Sequence, residues 1–210
     1  METINPSRME LLVKRAQIAL ARQGRDLLKE KRNALWQELM NTADVALRGS
    51  AELEQIAGAA QRALARAEAF DGREAVVSAA FAARRDLSIE VTAATAVGVA
   101  VPIIERKRLV RSSEQRGYSL ASTSCRIDAA AAYFEEQLEL VIELAAREMR
   151  LRRLAEEIRK TTIRMNALDV IVLPRLEAQL AAIRRVLDER EREDLFRLKH
   201  IKPATSRRQA

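Results

Sequence analysis

Apolar residues recur every three or four positions along both ends of this chain, with polar and mostly charged residues between them. From Met9 the stripe passes Val13, Ala16 and Leu20, slips near Leu27 and Leu28, and goes on through Leu35, Leu39, Ala43 and Ala46. Heptad-like spacing predicts an amphipathic helix with one face to bury. Ser7 is its expected N-cap, and Glu10 three residues on completes a capping box. Near the other end, Phe134, Leu138, Val141, Ala145, Leu154, Ile158, Thr161, Met165, Leu168, Val172, Leu176, Leu180, Ile183 and Leu187 continue the pattern. From Tyr118 to Ala210 there is no glycine and only two prolines, Pro174 and Pro203. A domain of that length would need turns, which recruit glycine and proline, so the stretch reads as one long helix. Roughly seventy continuous residues would span on the order of 100 Å. Such a helix cannot bury its stripe on itself, and the N-terminal arm is the expected partner in a long antiparallel two-helix coiled coil.

Local interruptions refine this reading. Gly24 sits inside the first arm, either tolerated at a cost near 1 kcal/mol or marking close approach of a second backbone. Gly49, Ser50 and Gly58 weaken the pattern without ending it. Phe70-Asp71-Gly72 signals a turn. From Leu87 to Glu105 the period changes to two, with β-branched residues in Leu-Ser-Ile-Glu-Val-Thr and Val97-Gly98-Val99-Ala100-Val101-Pro102-Ile103. Two short strands follow from this, in a hairpin at about 88–103 that turns near Ala93 to Ala96, with Pro102 at an edge. A lone hairpin is marginal in water, so it should lean on the helices or on another protein of a complex. Arg116-Gly117-Tyr118 is a loop signal, Ser122, Thr123 and Ser124 offer caps, and Asp128 sits where a carboxylate favours a helix dipole. In the last arm Leu168, Val172, Leu176 and Leu180 run four-four-four, which relaxes left-handed supercoiling. Asp169-Val170-Ile171-Val172-Leu173-Pro174 reads locally as an edge strand, but flanking periodicity favours a helix kinked at Pro174 over a break with a new helix there.

The fold class is therefore mainly α. Residues 1–70 form an N-terminal arm, 71–125 a middle region with the β-hairpin, 126–200 a C-terminal arm and 201–210 a basic flexible tail. Composition agrees: 48% of residues are hydrophobic, 32% charged and only 3% aromatic, the mixture of long helices. The formal charge of +7 is uneven, with +3 over residues 1–40, −3 over 41–146 and +7 over 147–210. Basic ends suit an acidic protein surface or nucleic acid. The arginines alternate with Glu and Asp, however, as in Asp188-Glu189-Arg190-Glu191-Arg192-Glu193-Asp194, which marks a solvated helix face and disfavours nucleic acid. No run of eighteen apolar residues exists, and Met1 to Arg15 lacks a signal peptide's apolar core. A cytoplasmic protein without direct membrane insertion is the expectation.

Candidate chemistry is sparse. Cys125 is the only cysteine and reads as a small apolar filler. His200, the only histidine, lies beside Lys199 in the basic tail, so no triad forms around it. Gly-rich phosphate loops are missing. The acid pairs Glu135-Glu136 and Glu156-Glu157 point about 100° apart on a helix. No catalytic, cofactor or metal site is expected.

Several segments carry a resemblance. Asn5-Pro6-Ser7-Arg8-Met9-Glu10-Leu11-Leu12, Val97-Gly98-Val99-Ala100-Val101-Pro102, Arg116-Gly117-Tyr118-Ser119-Leu120, Arg164-Met165-Asn166-Ala167-Leu168, Leu173-Pro174-Arg175-Leu176-Glu177 and Leu187 to Lys199 resemble the D subunit of the V/A-type proton or sodium ATPases and ATP synthases. The resemblance implies a non-catalytic rotor axle. Its paired terminal helices would enter a ring of catalytic A and non-catalytic B subunits, its middle region would lie with the F subunit, and the C subunit would join it to the membrane rotor ring. Arg164, Arg175, Arg184, Arg185, Arg190 and Arg192 are then candidates for facing the ring. Val97, Gly98, Val99, Val101 and Pro102 are candidates for partner contact at the hairpin. A non-rotary cytoplasmic coiled-coil scaffold or adaptor is the alternative.

Overall fold

The computed structural model describes residues 6–104, 108–119, 121 and 123–206, with side chains as far as Lys199. The elements are α1 (Arg8–Asp71), α2 (Arg73–Ala82), β1 (Val91–Ala96), β2 (Val99–Ile104), a 3₁₀ turn (Ser113–Arg116), α3 (Cys125–Ala167), a π-helical turn (Leu168–Val172) and α4 (Leu173–Ser206). The expected cap at Ser122 and the end of the tail at 207–210 lie outside the described residues. The chain forms two compact units, one gathering the residues up to Asn33 with those from Arg159 on, the other running from Ala34 to Ile158.

In the first unit α1 begins where Ser7 predicts: the Glu10 N–H donates to Ser7 Oγ at 3.1 Å and the Leu11 N–H to the Ser7 carbonyl at 3.1 Å. The partner is the chain from Arg159 on, and the pairing is antiparallel. Arg8 meets Glu191 at 2.8 Å, Arg22 meets Glu177 at 2.7 Å, and Arg25 reaches Asp169 at 3.4 Å. Among the described residues of this unit the buried side chains are Ile18, Thr161, Leu173 and Ile183.

That set corrects the predicted stripe. Met9, Val13 and Leu20 are exposed, and Ile18 takes the seam instead. The α1 sequence carries two apolar stripes in its first turns, and only the partner helix decides which one is covered. Leu35 and Ala46, from the later part of the prediction, are buried as expected. Gly24 has open space where a Cβ would stand. Tolerance, not close backbone approach, explains it.

The four-four-four run from Leu168 to Leu180 has a specific cause. Leu173, not Val172, is buried, while Val170 and Ile171 are 73% and 63% exposed. The Leu173 N–H donates to the Leu168 carbonyl, five residues back, so one extra residue is absorbed in a single wide turn. Beyond it the 3-4 spacing resumes at Leu176, Leu180 and Ile183. Pro174 follows directly as the second residue of α4. Proline has no N–H and crowds the carbonyl four residues back, and the wide turn is placed where that conflict falls. The chain therefore neither breaks nor restarts at Pro174.

In the second unit α1 passes through Gly49 and Gly58 as a continuous helix. A Cβ at Gly49 would lie 2.8 Å from an Arg147 guanidinium nitrogen, the movable tip of a side chain and not a second backbone. Arg150 pairs with Glu38 and Arg126 with Asp71, which keeps the helices antiparallel here too. Leu35, Ala46, Ala60, Ala67 and Leu154 are buried. Gly72, at φ 85°, ends α1 at the expected Phe70-Asp71-Gly72 turn, and α2 starts directly after it.

The hairpin pairs Val91 with Ile104 through Ala96 with Val99, antiparallel. Its turn is Val97-Gly98, later than Ala93 to Ala96, because two successive residues with positive φ (51° and 76°) are what a tight two-residue hairpin requires. Pro102, opposite Ala93, is tolerated in a sheet that consists only of edges. Leu87 and Ile89 before the hairpin, Ile104 at its end and Leu109 after it stand across an apolar cleft of about 130 Å³ from Ile142 and Ala146 of α3.

Val97 is a β-branched residue in the left-handed region, where a Cβ costs about 1–2 kcal/mol. Val97→Asn is therefore expected to stabilise the hairpin by about 1 kcal/mol, seen as slower amide exchange in β1 and β2. Unchanged protection would show that the strain is relieved elsewhere.

Candidate functional site

Two features combine charge with position: a buried polar joint in the second unit and exposed arginines distributed around and along the helices of the first.

The joint forms where the loop after the hairpin returns to α3. Ser112 caps the 3₁₀ turn reciprocally with Gln115. Gly117, at φ 83°, then turns the chain, and a Cβ there would lie 2.9 Å from the Ala82 carbonyl oxygen. The turn delivers Arg116 into the interior with its side chain 3% exposed. Its Nη1 donates to Asp128 Oδ1 at 2.5 Å and to the Asp128 carbonyl at 3.1 Å, and its Nη2 donates to Glu135 Oε2 at 3.0 Å. The Tyr118 hydroxyl and Ser113 Oγ each donate to Asp128 at 2.7 Å. Arg111 donates to both Glu135 oxygens, from its main-chain N–H at 2.9 Å and from Nε at 2.8 Å. Its Nη2 also reaches the Ala83 carbonyl at 3.1 Å. Two arginines thus tie the end of α2, the loop and the first turns of α3 together. Beneath them Ala67, Ala79 and Ile127 form an apolar cluster, with Val76 and Tyr118 against it.

Electrostatics follow from burial opposed by pairing. Desolvation works against the charge on Arg116, but hydrogen bonds to Glu135 and Asp128 outweigh it and raise its pKa. Burial pushes Asp128 and Glu135 up, yet the donors around them prevail and hold both carboxyls below their ordinary range. Burial and the Asp128 contact push the Tyr118 hydroxyl up. Sequence reading saw a polar loop here and a dipole-favouring Asp128. The missed signal was that Asp128 and Glu135, two turns apart on an alanine-rich segment, share a helix face.

The exposed arginines are arranged otherwise. Arg164, Arg175, Arg184, Arg185, Arg190 and Arg192 are all exposed, spread along α3 and α4 and not gathered at one point. Arg190 Nη1 donates to the Pro6 carbonyl at 3.1 Å, and Arg192 pairs with Glu189 at 3.5 Å. At the hairpin, Val97 and Gly98 are exposed, Val99 and Pro102 half-buried, and Val101 only 2% exposed, packed inside. Cys125 is exposed at the start of α3 rather than an apolar filler in the interior. The His200 side chain lies outside the described residues. Among the described residues no three His, Cys, Asp or Glu side chains are grouped to hold a metal, and no helix is long and apolar enough to cross a membrane.

Long helices paired antiparallel within each unit, with one small hairpin and charge carried outward, make this a mainly helical protein. The chain belongs to the ATP synthase D subunit family, whose model matches residues 10–203. It is 43% identical over 199 residues to the A-type ATP synthase D subunit of Thermococcus kodakarensis, covering 95% of this chain and 93% of that one. It is 42% identical over 207 residues to the A-type ATP synthase D subunit of Pyrococcus horikoshii, at 99% and 97% coverage. The V-type ATP synthase D subunit of an Anaeromyxobacter species is 38% identical over 204 residues, at 97% and 95% coverage.

Proposed function

We propose that this chain is the central-stalk component, or rotor axle, of a V/A-type rotary ATPase or ATP synthase. In this reading it carries torque between a ring of A and B subunits and the membrane rotor and holds no catalytic or cofactor site. It lies at the cytoplasmic side of the membrane as a peripheral part of the complex. The F subunit binds the middle region, and the C subunit links the chain to the membrane ring. The observation that carries the reading is a long paired helix with dispersed, exposed arginines, in a chain of the ATP synthase D subunit family. Torque needs a stiff element, and α1 runs 64 residues without a break. A turning surface must also not lock to one neighbour, so scattered charge suits it better than a large apolar patch.

Arg164, Arg175, Arg184, Arg185, Arg190 and Arg192 are assigned to the side facing the ring, and Val97 and Gly98 to partner contact at the hairpin tip. Co-purification with the A and B subunits is the direct test. Failure to assemble would favour a non-rotary scaffold. In the assembled complex, Arg175→Ala with Arg190→Ala is expected to lower ATP-driven rotation or coupled ion transport severalfold. Folding stability should move by no more than about 1 kcal/mol, the usual worth of exposed charges. Coupling at the wild-type level would remove these two residues from the assignment.

A further inference from the structure

The ion pairs between α1 and α4 in the first unit follow a ladder with one rung inverted. Arg8 and Arg22 lie two heptads apart on α1, and Glu191 and Glu177 lie two heptads apart on α4. They meet as Arg8–Glu191 at 2.8 Å and Arg22–Glu177 at 2.7 Å. The position midway between on α1 is Arg15, and the matching position on α4 is Arg184. The two flanking rungs set an arginine against a glutamate, whereas this rung sets an arginine against an arginine. Both line one open groove whose floor is Ile18 and Leu180 and whose far wall is the Arg22–Glu177 pair. The groove encloses about 460 Å³. Neither Arg15 nor Arg184 pairs with a carboxylate among the described residues.

Two like charges facing across a helix pair repel, and the repulsion is relieved when an anion sits between them. The groove has room for a side chain, an apolar floor and two guanidinium groups, each able to grip a carboxylate bidentately. We infer that this groove docks an acidic loop of the surrounding ring, with one Asp or Glu between Arg15 and Arg184 and an apolar neighbour against Ile18 and Leu180. The inference rests on the stalk reading above and names the chemistry of one of its contacts. The missing carboxylate of the ladder comes from the partner.

The test uses the full chain with the ring subunits. Arg184→Glu restores the ladder within the chain, so Arg15 gains a partner in cis like its neighbours. The thermal midpoint of the free chain should hold or rise. Association with the ring should slow about tenfold at low ionic strength, with a flatter salt dependence, because steering by charge is lost. Arg184→Lys should stay near wild type. Arg66→Glu, the same charge change on an exposed residue of the other unit, should associate normally. A photo-crosslinking residue at Ala181, on the groove wall, should attach to an acidic segment of an A or B subunit. Wild-type association and salt slope in Arg184→Glu would overturn the inference. So would crosslinks to a segment without carboxylates, to a second copy of this chain, or to nucleic acid. If the unmodified chain does not assemble with the ring, the stalk reading itself falls and takes the groove with it. If the chain assembles and only the Arg184→Glu result fails, the groove alone is wrong.

Discussion

Arg116→Ala is expected to cost about 3–5 kcal/mol of folding stability, the largest effect of any single charge removal in this chain. The loss does not measure one hydrogen bond. Asp128 and Glu135 each lose their strongest donor and stay behind only partly compensated, and the loop loses one of its ties to the first turns of α3. Tyr118→Phe removes one donor from Asp128 and should cost only about 1 kcal/mol. Denaturant unfolding of the three proteins should rank Arg116→Ala well below Tyr118→Phe and wild type. A small loss in Arg116→Ala would mean that water or Arg111 replaces the missing guanidinium.

The same joint sets an acid response. Asp128 and Glu135 have folded-state pKa values below their unfolded ones. Such groups contribute stability that is fully present above the unfolded pKa of about 4 and is lost as pH falls through the folded values. The unfolding midpoint should therefore be flat from neutral pH to about 5 and fall below about 4. In Arg116→Ala the donors that hold these carboxyls down are depleted, so the acid limb should flatten. An unchanged acid limb would place the acid-sensitive groups elsewhere.

Gly117→Ala and Gly24→Ala should move stability in opposite directions. At Gly117 a Cβ meets two penalties: left-handed backbone, at about 1–2 kcal/mol, and a 2.9 Å approach to the Ala82 carbonyl, which is backbone and cannot swing away. The sum should exceed about 2 kcal/mol and weaken the docking of α2. At Gly24 a Cβ meets nothing within 4 Å, and alanine in a helix interior gains up to about 1 kcal/mol. Thermal unfolding of the two variants gives the sign directly. Destabilisation by Gly24→Ala would reveal a close approach there.

These contrasts show where sequence reading holds and where it stops. The helix start at Ser7, the turn at Gly72 and the hairpin's strand character were legible because each is written in a few adjacent residues. The seam of α1 was legible at Leu35 and Ala46 and misread at Met9, Val13 and Leu20. Near the start of α1 two stripes compete, and burial belongs to the partner as much as to the helix. The hairpin turn was misplaced because alanine carries no turn signal, whereas Val97 adopts a conformation that its own preferences oppose. The exposed arginines could be named residue by residue, but not the inverted rung at Arg15 and Arg184. That rung exists only once the register of α1 against α4 is fixed.

The sequence by itself determined the long helices, their need for each other and the small strand element between them, because periodicity and the lack of turn residues constrain the chain locally. Only the tertiary structure decided the register of the paired helices, the π turn that absorbs the conflict at Pro174, and the burial of Arg116 between Asp128 and Glu135. Each of these depends on contacts between residues far apart in the chain, and a local pattern fixes which faces are apolar without fixing what they meet.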